Sequence, residues 1–360
     1  MMESREIRKP PGLGAPAAWR MTGRCLMSKQ TMLALLRAHP GEYVSGEQVS
    51  ERLGLSRTAV WKSVDALRKA GYDIEARTGL GYRLMSSPDL LTEEEIRSCL
   101  RPTRIVGREL CCFQEIDSTN TYAKKLALSG APDGTVVTAD CQTAGRGRMD
   151  RRFQSPRGKG IYLTALLRPE LPPERLLSVT TLAGVAVCQA VEQVCGVRPL
   201  LKWPNDPVLD GRKLCGILTE MSMEGESGCL QYLVVGIGLN VCQQPENFSP
   251  EVAPMATSLL QATGKAWPRA ALAAAEIEAL DRVYAALKDG DLSEYLAAYR
   301  RDCVNLGKRV QLIRPDGSRE AVNAVDIDDQ FSLVVRRDSG ERFAVRSGEV
   351  SVRGMYGYID

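Results

Sequence analysis

A multidomain α+β architecture is predicted by three features of the sequence. The chain has 360 residues, more than the ~100–150 typical of one domain. Its apolar period changes along its length, helical near the start, mixed in the middle and strand-like after about residue 305. Glycine and proline turn signals separate these regions. Hydrophobic residues make up 44% and charged residues 25% of the chain, with a net charge of +3, as in an ordinary water-soluble protein. No apolar run approaches the ~20 residues that span a bilayer, and the most apolar helix-like stretch, Leu182 to Val191, is short and contains Gln189.

Residues 1–27 carry Arg5, Arg8, Lys9, Arg20 and Arg24 with Pro10, Pro11 and Pro16, but no apolar centre of a secretory signal. They are expected to form a disordered extension, with Met27 as an alternative translation start. Eleven cysteines without a Cys-x-x-Cys pair suggest neither a zinc site nor a closed disulfide set, which points to a reducing, cytoplasmic setting. The single histidine, His39, precedes a Pro40-Gly41 turn far from every motif below, so His-based triads and metal sites are excluded.

The first folded segment, 28–88, reads as a winged helix-turn-helix. Met32, Leu33 and Leu36 share an apolar face that Pro40-Gly41 ends. Ser45 with Gln48 fits a capping box for a short second helix bearing Val49 and Leu53, and Gly54 fits its stop. Ser56 is placed to cap a third helix running to about Lys69, with Val60, Val64 and Leu67 on one face and Thr58, Trp61, Lys62 and Asp65 on the other. That outer face, with Arg57, suits a major groove. Ile74 to Leu84 alternates around Gly79 and Gly81 as a hairpin wing, which sets Arg77 and Arg83 to meet phosphates. Nine Lys/Arg against six Asp/Glu between residues 28 and 87 leave only +3, so charge alone does not separate DNA from a protein partner.

The second segment, 89–304, alternates strands and helices. Thr135–Ala139 and Ile161–Leu167 are β-rich, a long helix follows from about Leu176 to Val194, and strands are expected over Leu214–Met221 and Leu230–Val241. The Ala-rich stretch Ala270–Leu287 is a helix. The third segment, 305–360, holds the runs Val310/Leu312, Phe331/Leu333/Val335, Phe343/Val345 and Val350/Val352. Turn signals at Pro315-Asp-Gly317, Asp328-Asp329 and Asp338-Ser-Gly340 separate them, so a small β-barrel is predicted.

Chemistry is concentrated in the middle segment. From Gln142 to Lys159, Arg146, Arg148, Arg151, Arg152, Arg157 and Lys159 stand against Asp150 alone, so one loop carries more positive charge than the whole chain does net. Gly145, Gly147, Gly158 and Gly160 interleave with these cations and let backbone N–H groups approach a ligand. An anion site and a nucleic-acid patch both fit this composition. Lys213 ends an Asp210-Gly211-Arg212 turn before the apolar run Leu214–Leu218, a placement that aims it over a pocket. Trp203 reads as core, Asp117 as a turn stabiliser, and Asn240 as a partner of either backbone or ligand.

Asp117-Ser-Thr-Asn120, Gln142-Thr-Ala-Gly-Arg-Gly-Arg148, Lys202-Trp-Pro-Asn-Asp206 with Arg212-Lys-Leu-Cys-Gly216, and Val235-Gly-Ile-Gly-Leu-Asn-Val241 occur in this order. Together they resemble the biotin protein ligases with an N-terminal winged helix, and the resemblance extends from Met27 onward. It implies a biotin/lipoate-ligase-like catalytic domain, an SH3-like final domain, and a double activity as ligase and biotin-operon repressor. The implied reaction makes biotinyl-5′-AMP from biotin, ATP and Mg²⁺, then passes biotin to a lysine of the biotin carboxyl carrier protein of acetyl-CoA carboxylase or another biotin-dependent carboxylase. By the same resemblance Ser118, Thr119, Asn120, Gln142, Arg146, Gly147, Arg148 and Lys213 hold biotin. Arg148, Arg151, Phe153, Asn205 and Asn240 hold the adenylate, and Lys213, Arg146 and Asp206 serve catalysis, Asp206 by helping to deprotonate the acceptor lysine. Phe153 departs from the family, where many relatives stack a Trp on adenine. Operator DNA is expected to be bound through Arg57, Thr58, Trp61, Lys62, Arg77 and Arg83, by a homodimer that forms with ligand. No membrane partner and no protein-held metal are expected.

The residues suit that chemistry independently. Attack of a carboxylate on an α-phosphate brings two anions together, and fixed cations offset their repulsion. The substrate carboxylate is itself the nucleophile, so no histidine is needed. Two alternatives remain open: a lipoate- or octanoate-type ligase, and a transcription factor whose ligase-like domain only senses a small molecule.

Overall fold

The computed structural model describes residues 23–148, 151–225, 229–346, 350–355 and 358–359. The expected extension falls largely outside them, including Arg5, Arg8, Lys9 and Arg20. Its end is corrected, however, because helix α1 (Gly23–Ala38) already begins at Gly23, and Arg24 to Met27 are helical. No proline or turn signal interrupts that stretch. The chain forms two compact units, residues 1–88 and 89–360.

In the first unit α1 is followed by α2 (Gly46–Leu53), α3 (Arg57–Lys69) and the hairpin β1 (Asp73–Arg77) and β2 (Gly81–Ser86). Ser45 and Gln48 exchange both capping-box bonds at 3.1 Å, and Gly54 closes α2 in the left-handed conformation at φ 60°. Ser56 Oγ accepts from the Ala59 N–H to start α3. Val60, Val64 and Leu67 are buried with Met32, Leu36 and Val49, while Trp61 on the outer face is 57% exposed. At Gly81 (φ +112°) a Cβ would strike the Val44 carbonyl, so only glycine lets the wing lie against Val44.

The second unit is built on a five-stranded sheet ordered β3 (Leu110–Phe113), β4 (Val136–Ala139), β5 (Gly160–Leu167), β10 (Leu230–Asn240), β9 (Cys215–Met223). Only β3 and β4 run parallel. Helices α7 (Val179–Cys195) and α9 (Arg269–Asp289) cover one face, and α5 (Thr119–Leu128) covers part of the other. The strand period decides this: Val235, Ile237 and Leu239 point into the α7/α9 core, whereas Val234 points toward α5, the side that Gly236 and Gly238 share. The helix expected from about Leu176 is α7, which starts at Val179 after the short α6 (Pro173–Leu176), with Ser178 Oγ donating to the Arg175 carbonyl between them. Short helices α4 (Glu93–Cys99), α8 (Leu259–Thr263) and α10 (Ser293–Asp302) complete the layer, with a small sheet of β6 (Leu200–Lys202), β7 (Asp206–Leu209) and β8 (Arg212–Lys213).

Residues beyond 305 form an antiparallel sheet ordered β14 (Arg342–Val345), β13 (Leu333–Arg336), β12 (Arg319–Ile327), β11 (Arg309–Ile313), β15 (Ser351–Gly354). Strand β12 is absent from the sequence reading, because its inward residues Val322, Ala324 and Ile327 sit among polar and charged neighbours. Phe331 is not in a strand as expected. It occupies a turn at φ 61°, where Asp328 Oδ1 accepts from the Gln330 and Ser332 N–H groups. Val310, Leu312, Val335 and Val352 belong to the same buried cluster as α7 and α9.

Candidate active site

Glycine makes the floor of the site. On the α5 side of the central sheet Gly216 pairs with Gly238 and Leu218 with Gly236. A Cβ on Gly236 would overlap the Asn120 amide, and one on Gly238 would overlap the Phe153 ring. The bare sheet face leaves a cavity of about 370 Å³, into which α5, the basic loop, the β6–β8 turn and the segment around β15 all reach.

One end of the cavity is neutral and tightly bonded. Ser118 caps α5, and the Asp117 carboxylate accepts from the Ser118 N–H at 2.7 Å, the turn role weighed above. The Thr119 N–H and hydroxyl donate to Gln142 Oε1 at 2.9 and 3.1 Å, and Gln142 Nε2 donates to Ser155 Oγ at 2.8 Å. The Thr164 hydroxyl donates to Asn120 Oδ1 at 2.7 Å, and Asn120 Nδ2 donates to Glu220 on β9 at 2.9 Å. Glu220 also takes Lys124 at 2.9 Å and lies 3.7 Å from the Arg146 guanidinium. Burial opposes its charge, yet these partners hold its carboxyl below the ordinary range.

The other end is cationic. The loop folds back on itself through the Gly147 N–H to the Arg151 carbonyl at 2.7 Å, with Arg146 bridged to Arg152. Arg148 donates to Asn205 Oδ1 at 3.2 Å, and Asn205 Nδ2 donates to the Ile217 carbonyl at 2.8 Å. Arg151 is exposed at the cavity rim, and Asp150 lies outside the described residues. Phe153 lies across the Gly216–Gly238 pair, edge-on to Tyr162 at 6.4 Å. Lys213 Nζ donates to Asp206 Oδ1 at 2.5 Å, and the Tyr358 hydroxyl donates to Asp206 Oδ2 at 2.5 Å. Lys202 Nζ donates to the Val352 carbonyl at 2.8 Å and stands 4.3 Å from the centre of the Tyr358 ring.

Burial raises the cost of charge on Asp206, but the Lys213 and Lys202 cations and the bonds from Lys213 and Tyr358 outweigh it and hold the carboxyl low. Burial pushes Lys202 down to about 8, with Asp206 offsetting part of the loss and Arg353, Lys213 and Arg148 adding to it.

The structure thus gathers Ser118, Thr119, Asn120, Gln142, Arg146, Gly147, Arg148, Arg151, Phe153, Asn205, Asp206, Lys213 and Asn240 around one cavity. Three of them are also engaged by protein partners. Asn240 Nδ2 donates to the Thr257 carbonyl and its Oδ1 accepts from Gln243, so this buried amide braces the wall. Asn205 spends its amide on Arg148 and Ile217. Asp206 has both oxygens engaged and a lowered pKa, which makes it a weak base and an anchor for Lys213. Trp203 is core, 1% exposed, with its indole N–H donated to the Phe331 carbonyl. Lys202, Arg353 and Tyr358 were not among the expected site residues. Lys202 stood in a motif, whereas no spacing signal marked the other two.

In the N-terminal unit Arg57, Thr58, Trp61 and Lys62 share the exposed face of α3, and Arg77 is exposed on the wing. Arg83 differs: it pairs with Glu75 at 2.5 Å and lies over the Tyr43 ring at 4.6 Å. It clamps the wing from within rather than projecting toward a phosphate.

A family model described as the biotin/lipoate A/B protein ligase family matches residues 112–240, and one described as an HTH domain matches residues 28–83. The bifunctional ligase/repressor BirA of Bacillus subtilis (strain 168) is 36% identical over 312 residues, which cover 87% of this chain and 95% of that protein. The chain belongs to the bifunctional biotin ligase/repressor family. BirA of Escherichia coli (strain K12) is 30% identical over 313 residues, 87% of this chain and 94% of that one. The structure of the biotin protein ligase from Aquifex aeolicus in complex with biotin and ATP superposes with a TM-score of 0.59 at 28% identity, over 69% of this chain and 99% of that chain. The middle of the chain has the biotin ligase catalytic fold, preceded by a helix-turn-helix domain. No helix among the described residues is long and apolar enough to cross a membrane.

In this family member the glycine floor carries a testable constraint. Gly238→Ala is expected to displace the Phe153 ring and weaken binding of an adenylate about tenfold or more, with little loss of fold, since the added methyl faces the cavity. Calorimetric titration with a non-hydrolysable biotinyl-adenylate analogue checks this, and unchanged affinity would show that Phe153 does not contribute to the nucleotide site.

Proposed function

We propose that the protein activates biotin with ATP as biotinyl-5′-AMP, transfers biotin to a carrier-protein lysine, and represses transcription from an operator when the adenylate is bound. The observation that carries the reading is the polarity of a single cavity, neutral and hydrogen-bonding at Thr119, Asn120 and Gln142, cationic at Arg148, Lys202 and Lys213. That polarity matches a ligand with a neutral ureido head and a carboxylate that must meet a phosphate. Ser118, Thr119, Asn120 and Gln142 take the head, and Arg146 to Arg148 close over the acyl phosphate. Arg151 and Phe153 take the nucleotide.

The biotin carboxylate attacks the α-phosphorus, pyrophosphate leaves, and Lys213 with Arg148 offsets the charge that builds between the two anions. The neutral amine of the carrier lysine then attacks the acyl carbonyl, AMP leaves with the bonding electrons, and the amine proton passes to solvent. Among the described residues no group of three His, Cys, Asp or Glu is placed to hold a metal, and Asp206 has both oxygens engaged. The protein side chains therefore do not fit a dedicated magnesium cage, and Mg²⁺ is assigned to the phosphates of the incoming nucleotide as part of the substrate.

We assign residues 28–88 to DNA binding, 89–304 to catalysis and 305–360 to an SH3-like domain, a reading supported by the antiparallel β11–β15 sheet. A ligand-linked homodimer places two α3 helices on successive half-sites. Incubation with labelled biotin, Mg-ATP and a biotin carrier domain is expected to label the carrier, while lipoate fails to compete. Lys62 and Arg77 substituted together with Ala should weaken operator binding and lower its salt slope by about two units, one per lost phosphate contact, with biotin transfer intact. Labelling with lipoate in place of biotin would overturn the substrate, and adenylate-independent DNA binding would overturn the coupling.

A further inference from the structure

The Asp206 carboxylate is held from two sides by residues of very different origin. Lys213 reaches it from the neighbouring strand, seven positions on, and Tyr358 reaches it from beyond β15, 152 positions away. The Tyr358 ring is itself fixed by cations, with Lys202 Nζ at 4.3 Å and the Arg353 guanidinium at 5.1 Å from its centre. Lys202 is tied in turn to the Val352 carbonyl at 2.8 Å. All five side chains line the cavity. A carboxylate bonded only to Lys213 is free to swing with it. With its second oxygen held by a phenol on a braced ring, it presents Lys213 at one place.

We propose that Tyr358 is a positioning residue for adenylate formation, acting through Asp206 to fix Lys213 against the reacting carboxylate and phosphate. The proposal rests on the ligase reading above and adds to it a contribution from a segment outside the matched catalytic region, 112–240. Tyr358 is bonded at the Asp206 end of the cavity, so its loss is expected to act on the chemical step and to leave biotin recognition by Thr119, Asn120 and Gln142 in place. The groups that face Asp206 are Lys213, Lys202, Arg148 and Tyr358, with the buried, neutral Cys215 and Tyr299 behind them. Among the described residues only Tyr358 donates a hydroxyl to Asp206, since the Tyr299 hydroxyl goes to the Pro204 carbonyl. Removing it weakens the hold on the ionised form of Asp206, so the acidic limb of the rate profile moves to higher pH.

The test uses the full-length protein and biotin-dependent pyrophosphate release. Tyr358→Phe keeps the ring beneath Lys202 and is expected to lower kcat about tenfold, the usual effect of losing one hydrogen bond to a charged group. The KM for biotin should change less than twofold. In an Asp206→Asn background the same change should cost nothing further, because the route from Tyr358 to Lys213 is already cut. Thermal melting of each variant separates these effects from misfolding, and the double-variant comparison holds even if one single variant melts early. A Y358F enzyme with wild-type kcat and pH profile, or costs that add across the two sites, would overturn the positioning role while leaving the ligase reading intact. A wild-type enzyme that releases no pyrophosphate with biotin overturns both.

Discussion

Lys213→Ala is expected to lower the rate of biotin-dependent pyrophosphate release by ~10²–10³, the usual cost of removing one aimed electrostatic donor from an active site. Lys213 also bears on folding, because it neutralises the largely buried Asp206 carboxylate at 2.5 Å. Removing it leaves that carboxylate with Tyr358 and the nearby Lys202 and Arg148, at a cost of about 1–3 kcal/mol in stability. The two effects separate in the double variant Lys213→Ala, Asp206→Asn, which discharges the orphaned acid. Denaturant unfolding should show its stability largely restored while pyrophosphate release stays low. Activity that returns along with stability would reduce Lys213 to a structural ion-pair partner.

A second large effect lies away from the cavity. Glu276, in the middle of α9, is fully buried, and among the described residues neither carboxylate oxygen has a hydrogen-bond partner. Burial pushes its pKa up to about 8, from an ordinary 4.5. Below pH 4.5 the folded and unfolded chains both carry the proton and the group is silent. As pH rises from there, the unfolded chain releases the proton and the folded chain keeps it, so stability falls until about pH 8 and then levels off. At ~1.4 kcal/mol per pH unit the loss amounts to roughly 4–5 kcal/mol. Glu276→Gln has nothing to ionise. Relative to wild type it should therefore be several kcal/mol more stable at pH 8 and nearly equal at pH 5, as read from urea unfolding at both pH values. An equal difference at the two pH values would mean that Glu276 is not protonated in the fold.

Much of this protein is legible in the linear sequence because the relevant forces act within a few residues. The Ser45–Gln48 capping box, the Ser56 cap, the Gly54 stop and the split of α3 into a buried Val60/Val64/Leu67 face and an exposed Thr58/Trp61/Lys62 face all involve neighbours three or four positions apart. The alternation of Val235, Ile237 and Leu239 with Gly236 and Gly238 likewise encodes which face of β10 is core and which is floor. Clustered arginines mark the loop that faces the ligand for a related reason, since like charges are tolerated so close together only where solvent or an anion compensates them. Which partner each polar side chain takes is a different matter, because pairing depends on distance in space. Tyr358 finds Asp206 across 152 positions, Asn240 turns to the Thr257 carbonyl instead of the cavity, and Glu75 withdraws Arg83 from the wing surface. Phe153 settles on the Gly216–Gly238 pair only because β9 and β10 align those glycines in register. Residue types and local periodicity determined the elements and the chemistry available, and the packing of the sheet against the residues beyond 305 decided which charges neutralise one another, since burial makes every unpaired charge costly and so selects the partners.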